Sequence, residues 1–243
     1  MKALKFIKTL ISLIISLSII LALGCYFISY TYTYHNPQQQ EKYLIQYTQN
    51  PEISYIYTDN SKKAKEAVKM ISNFVNSLPK ELTTDFKESW RVIIAPDASS
   101  DRLIQTDGAT NWELKLVALN THSDPTDTYN TFVHEFGHYF DLSHGYYSKS
   151  EEFQKVYEKY RTTYKELDDK TVKDYPTSSS IEFFASVFKE YFLFPEHLQQ
   201  IAPDAYTYID KIYNEAVSPK SDVETLFQTT KNNVIAFYRT YAQ

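Results

Sequence analysis

The sequence predicts an α+β fold, because short strand-like runs fall in the first half of the chain and helical periodicity fills the second. An uncharged apolar stretch stands apart at the N-terminus. Ile53 to Thr58 and Arg91 to Ala95 carry β-branched and aromatic residues in short runs bounded by turn formers, and Glu113 to Asn120 alternates Leu114, Leu116 and Ala118 with other residues. These are the marks of sheet strands. Between the first two, Ser61 to Leu78 places Ala64, Ala67, Val68, Ile71, Phe74 and Val75 at helical spacing, with Asn60 or Ser61 to open the helix and Pro79 just past its end. From Thr126 onward the pattern predicts helices near 126–143, 149–168, 179–194, 203–217 and 221–240.

Composition narrows the class. Of 243 residues 43% are hydrophobic and 16% aromatic, enough apolar surface for a core, so a largely disordered chain is excluded. Four glycines and one cysteine exclude collagen-like chains and disulfide scaffolds. With 25 basic against 30 acidic residues there is no positive field to hold a phosphate backbone, so nucleic acid is not an expected partner.

The N-terminus departs from this average. Lys2, Lys5 and Lys8 precede a run without Asp, Glu, Lys or Arg from Thr9 to Gln40, and 16 of the 21 residues from Leu10 to Tyr30 are apolar. That length suffices to cross a bilayer, and the lysines would stay on the cytoplasmic side. The expectation is that residues 1–34 form a membrane anchor or a signal peptide, so that the chain is exported and either secreted or tethered to the outer face of the cell membrane. Tyr26, Phe27, Tyr30, Tyr32 and Tyr34 crowd the outer end like an interfacial belt, which favours an anchor. Ala22-Leu23-Gly24 offers small residues for cleavage, and Leu23-Gly24-Cys25 resembles a lipoprotein box, although large apolar residues follow Cys25. Residues 35–40 are polar and are expected to be a linker, and no Gly-, Ser- or Pro-rich divider follows, so 41–243 is expected to be one domain. Without the first 34 residues the chain keeps 22 basic and 30 acidic residues, a net charge of −8.

The chemistry concentrates in the first helix of the second half. His134-Glu135-Phe136-Gly137-His138 is an H-E-x-x-H pattern well inside a helix that begins after Asp124-Pro125 and stops before Gly145. Residues four apart share a helix face, so His134 and His138 can present two imidazoles to one ion, with Glu135 beside them. The competing reading is that these residues decorate a solvated face. A catalytic zinc site needs a third protein ligand and an open position. His144 lies six residues beyond His138, and Asp141 stands where a metzincin needs glycine, so that extension is absent. A glutamate from a later helix remains, and Glu182 is the strongest candidate. It opens Glu182-Phe183-Phe184-Ala185-Ser186-Val187-Phe188, a helix so apolar that an acid there calls for a cationic partner. Ser178, Ser179, Ala185 and Ser186 are small enough to let that helix approach closely. The competing reading is an exposed first-turn acid favoured by the helix dipole, and Glu151, Glu152 and Glu190 are the other acids in range.

Asp141 falls on the face of His134 and His138, where a carboxylate can accept the second N–H of an imidazole; the alternative is a helix-end acid facing water. Tyr175 lies seven residues before Glu182, from where a phenol can steady an oxyanion. Among 22 tyrosines, spacing alone does not single it out.

His134-Glu135-Phe136-Gly137-His138-Tyr139-Phe140-Asp141, then Tyr175, then Glu182-Phe183-Phe184-Ala185, resembles the signature of the anthrax lethal factor-like zinc metallopeptidases, a gluzincin family that includes the Pro-Pro endopeptidases. The resemblance spans about 100 residues. It implies Zn2+ held by His134, His138 and Glu182, Glu135 as catalytic base, Tyr175 as oxyanion stabiliser, and a protein or peptide substrate. It also implies a small mixed-sheet subdomain, an active-site helix and a helical C-terminal subdomain, here preceded by the transmembrane or signal helix. The family commonly carries a second glutamate four residues after the ligand glutamate, and this chain has Ser186 there. By analogy with gluzincins, Glu113 to Asn120 is the candidate edge for an extended substrate, the alternative being a purely structural strand.

The expected function is therefore an exported zinc endopeptidase. The alternatives are a catalytically inactive zinc-binding interaction domain at the cell surface, to which Ser186 lends weight, and a tethered structural domain without metal. The net charge of −8 favours basic or neutral substrates.

Overall fold

The computed structural model describes residues 2–33, 37–96, 98, 107–167 and 175–218, together with 227, 230, 231 and 234. The chain divides into two compact units, one of Met1–Tyr34 with Lys220–Gln243 and one of His35–Pro219. In the first, α1 spans Lys2–Thr33 and exposes apolar side chains from Ile11 to Phe27. Among the described residues no helix is long and apolar enough to cross a membrane, so the structure does not support the expected transmembrane helix. The helix expected over 221–240 lies almost wholly outside the described residues.

The second unit holds a five-stranded mixed sheet with helices on both faces. In chain order come α2 (Pro37–Leu44), β1 (Thr48–Gln49), β2 (Ile56–Thr58), α3 (Lys62–Ser77), α4 (Lys80–Ser89), β3 (Arg91–Ala95), β4 (Gly108–Asn111) and β5 (Leu116–Asn120). Then follow α5 (Pro125–His144), α6 (Glu151–Tyr160), α7 (Ser180–Leu193), α8 (Pro195–Ile201) and α9 (Pro203–Val217). The strand order is β1-β2-β3-β5-β4, with β2, β3 and β5 parallel and both flanking pairs antiparallel. Thus β5 lies inside the sheet, and the edge beside it is β4. The expectation that Glu113 to Asn120 forms the edge is corrected accordingly, since Leu116 to Asn120 pairs with Arg91 to Ala95 on one side and Gly108 to Asn111 on the other.

Strand alternation sorts the core into two layers. Val92, Ile94, Val117 and Leu119 face the helical side, while Ile93, Ala95 and Leu116 face a smaller cluster closed by Leu44 of α2. Gln40, expected in a linker, is buried, and its amide donates to the carbonyl of Leu114 at 2.9 Å. Helix α3 buries all six of its predicted apolar residues, and Ser61 caps it by accepting from the Ala64 N–H at 3.2 Å. Helix α6 stops at Tyr160, well short of 168, while α7 and α9 match their expected spans to within a residue.

The helices that matter most for function are α5 and α7. Asp124 caps α5 through the Thr126 N–H, and Pro125 occupies its first position, where its missing donor costs nothing. Phe136 and Phe140 of α5 pack with Phe184 and Phe188 of α7, all four fully buried. Each such side chain contributes roughly 1.5–3 kcal/mol. At the crossing, a Cβ on Gly137 would stand 3.0 Å from the Ala185 Cα and 3.2 Å from its carbonyl oxygen. Glycine against alanine lets the two backbones approach closely enough for side chains from both helices to meet at one point.

Candidate metal centre

One turn apart on α5, His134 and His138 set their rings edge to face with centroids 4.9 Å apart. Both rings turn Nε2 toward the same oxygen of Glu182: His134 at 3.2 Å and His138 at 3.4 Å from Oε2. Glu182 sits in the first turn of α7, its own N–H held by the Ser179 cap at 3.1 Å. Its carboxylate points toward α5, where it meets both imidazoles. The ligand atoms of the three residues all lie within 4.8 Å of one another. A tetrahedral ion with bonds of about 2.0–2.1 Å has ligand-to-ligand edges of about 3.3–3.4 Å. The two measured Nε2 to Oε2 distances match that edge, and two neutral imidazoles with a carboxylate are a suitable donor set, so these residues fit a metal ion.

Electrostatics favours the same assignment. Burial raises the carboxyl pKa of Glu182, but hydrogen bonds and charge from His134 and His138 outweigh it and hold the group well below the usual carboxylate range. Burial lowers the His138 pKa, and this is overcome by the hydrogen bond and charge of Glu182 and by the charges of Glu135 and Asp141, so the net direction is upward. The cluster concentrates negative charge around two imidazoles, an environment a divalent cation satisfies better than a proton.

Around the triad, the predicted residues take distinct places. Glu135 is 6% exposed, and its Oε2 accepts from the Thr110 hydroxyl at 2.6 Å. Tyr175, in a 3-10 turn of Tyr175–Thr177, lies with its ring centroid 6.5 Å from that of His134 and within hydrogen-bonding influence of Glu182. Burial first, then the charges of Glu182 and Glu135, push its phenol pKa up, so it stays protonated at neutral pH. Ser186, fully buried one turn after Glu182, places Oγ 3.5 Å from Nδ1 of His134. In the tautomer that leaves Nε2 free for a metal, Nδ1 carries the proton and donates to Ser186. Asp141 is buried beside the same face and raises His138 through its charge, but two of its hydrogen bonds go to Ser148, from the backbone N–H at 2.8 Å and the hydroxyl at 2.5 Å. It thereby anchors the 3-10 turn after α5.

The other acids in range are engaged elsewhere. Glu151 pairs with Lys155, Glu152 with Lys211, and Glu190 with His197. His144 stacks on Phe140. Three contributors escape sequence reading. Thr110 belongs to a strand whose Gly-Ala-Thr-Asn carries no apolar alternation, Ser148 meets Asp141 only through the turn, and Tyr157 of α6 fixes the Tyr175 turn by donating to the Thr177 carbonyl at 2.9 Å.

Fold and site together define a mixed α+β protein whose central helix and its neighbour present a His-His-Glu triad with the spacing of metal ligands. The family model described as "Anthrax toxin lethal factor, N- and C-terminal domain" matches residues 97–212, a span that contains all three triad residues, Glu135 and Tyr175. Over that span the chain is similar to the lethal factor family. No curated protein matches it.

Proposed function

We propose that this chain is a zinc-dependent endopeptidase that hydrolyses peptide bonds in protein substrates. The observation that carries the reading is the convergence of His134, His138 and Glu182 on one point, with Glu135 next to His134 on α5 and the Tyr175 ring 6.5 Å from that of His134. A lethal factor-like family supports peptidase chemistry over other uses of such a triad.

In this reading His134, His138 and Glu182 hold the ion, and Ser186 and Asp141 stand behind the imidazoles. Bound there, zinc supplies Lewis acidity, polarising the scissile carbonyl and lowering the pKa of water toward neutrality. Glu135 takes a proton from the attacking water as the oxygen–carbon bond forms, then delivers it to the amine as the carbon–nitrogen bond breaks. The Tyr175 phenol, kept protonated by its buried and negative surroundings, donates to the carbonyl oxygen as charge builds there. Among the described strands β4 is the outermost on the side of Glu135, and it is the strand along which an extended substrate aligns.

Export is part of the proposal and rests on sequence: three lysines, then an uncharged apolar run whose side chains from Ile11 to Phe27 stand exposed on α1. Its place is outside the cytoplasmic membrane, secreted or tethered, and its substrates there are basic or neutral peptides. Cell fractionation tests this, and a purely cytoplasmic mature chain refutes it.

The catalytic reading is tested on the full-length chain by zinc content and by cleavage of a randomised peptide library, beside Glu135→Gln. One zinc per chain with cleavage lost in the variant is the expected result. Zinc without cleavage in either protein would assign the chain to the non-catalytic zinc-binding class, and absence of zinc would reject the site.

A further inference from the structure

Strand β4 meets the active-site helix through two side-chain positions of the same face, two residues apart. At Gly108 the approach is so close that a Cβ would stand 2.6 Å from the Thr131 methyl and 2.8 Å from Oε1 of Glu135. At Thr110 the hydroxyl reaches two oxygens of one residue, the Glu135 carbonyl at 3.2 Å and its carboxylate Oε2 at 2.6 Å. A hydroxyl has one proton to give, and the shorter contact to the charged oxygen takes it. One edge strand thus shapes the place of the Glu135 carboxylate: Gly108 leaves room for Oε1, and Thr110 donates to Oε2. The strand itself is registered by pairing with β5, Gly108 opposite Leu119 and Thr110 opposite Val117.

From this geometry we infer that Thr110 is a positioning residue for Glu135, fixing the carboxylate relative to the sheet edge on which the substrate backbone lies. This rests on the peptidase reading above. A glutamate with three rotatable bonds, midway along α5, has several rotamers open to it, and general-base catalysis needs the one within hydrogen-bond reach of the attacking water. Threonine suits the task because its branched Cβ restricts its own rotation, so a stiff donor fixes a flexible acceptor. The strand that aligns the substrate and the carboxylate that acts on it are then linked by a single hydrogen bond, and their spacing does not depend on loops.

Thr110→Val keeps the shape and removes the donor, and Thr110→Ser keeps the donor. Both are compared with wild type in the zinc-loaded full-length chain, using the single fastest-cleaved peptide from the library. The inference expects Thr110→Val to lower kcat by roughly 10–100-fold with KM within about twofold, the size of loss typical when an outer residue stops orienting an active group. Thr110→Ser should recover most of that rate, and both variants should hold one zinc per chain and melt within a few degrees of wild type. Unchanged kcat in Thr110→Val overturns the inference, as does a raised KM at unchanged kcat, which would make Thr110 a docking contact. Loss of zinc or of thermal stability in Thr110→Val overturns it in favour of a structural role. A zinc-loaded wild type that cleaves no peptide removes the peptidase reading and this inference with it.

Discussion

Helix α7 carries two glutamates eight residues apart, one half-buried and one fully buried, and they are held in opposite ways. Glu182, at the start, faces two imidazoles from another helix and is pulled down in pKa by them. Glu190, near the end, is fully buried, accepts from the Leu167 N–H at 2.6 Å and from His197 at 3.0 Å, and lies near a second buried pair, Lys189 with Glu166 at 3.0 Å. Burial, with the charge of Glu166, pushes its pKa up despite those partners. The first carboxylate shares its oxygen with two nitrogens at the spacing of metal ligands, a donor arrangement that fits a cation. The second is enclosed by a backbone N–H and one histidine, which is a closed network that pins the segment before residue 168 to α7. Both are histidine–glutamate pairs, and only the count and direction of the nitrogens separates a ligand site from a staple.

The strongest break in this contrast is Glu182→Gln. The amide keeps the shape but not the charge, so metal affinity should fall by more than the roughly 10–100-fold typical of outer residues, leaving substoichiometric zinc by elemental analysis and no cleavage. Glu190→Ala should do the reverse: a loss of roughly 3 kcal/mol in chemical denaturation, from an orphaned N–H and a broken buried pair, with one zinc per chain retained. Equal zinc loss in both would erase the distinction.

Gly137→Ala tests the crossing that brings Glu182 to the histidines. A Cβ 3.0 Å from backbone cannot be relieved by a rotamer change, so roughly 1–3 kcal/mol of stability should be lost, with zinc content falling alongside. A variant that melts and binds zinc like wild type would show that the close approach is dispensable.

The smallest and most graded effects are in pH. In the metal-free chain the Glu182 contribution is present above its unfolded pKa and is lost as pH falls through its depressed folded value. Glu190, raised on folding, has the opposite sign: stability falls as pH rises from its unfolded toward its raised folded value, and Glu190→Gln should flatten that slope in thermal melts at stepped pH. Metal binding needs a neutral His138, whose proton is held more tightly than usual by Glu182, Glu135 and Asp141. Zinc therefore competes with that proton, and its affinity should weaken steadily as pH falls, read with a competing colorimetric chelator at stepped pH. An affinity that does not change on acidification would contradict a histidine-held metal.

Local chemistry explains which parts were legible. The helix of His134 and His138, its Asp124-Pro125 start and the six buried residues of α3 all follow from periodicity and capping within one turn or a few, and the structure keeps them. Glu182 was legible because an acid in an apolar helix advertises a missing partner. Strand β4 was not, since Gly-Ala-Thr-Asn is selected by contact with α5 rather than by alternation, and without it β5 passed for an edge.

By itself the sequence determined the helices and the two imidazoles on one face, because a helix places residues i and i+4 together whatever surrounds it. Tertiary structure decided which acid joins them, which strand holds Glu135, and which histidine–glutamate pair stays open to a cation. Those contacts join residues 25 to 52 positions apart, and only the packing of α7 and of β4 against α5 brings such distant groups within hydrogen-bond reach.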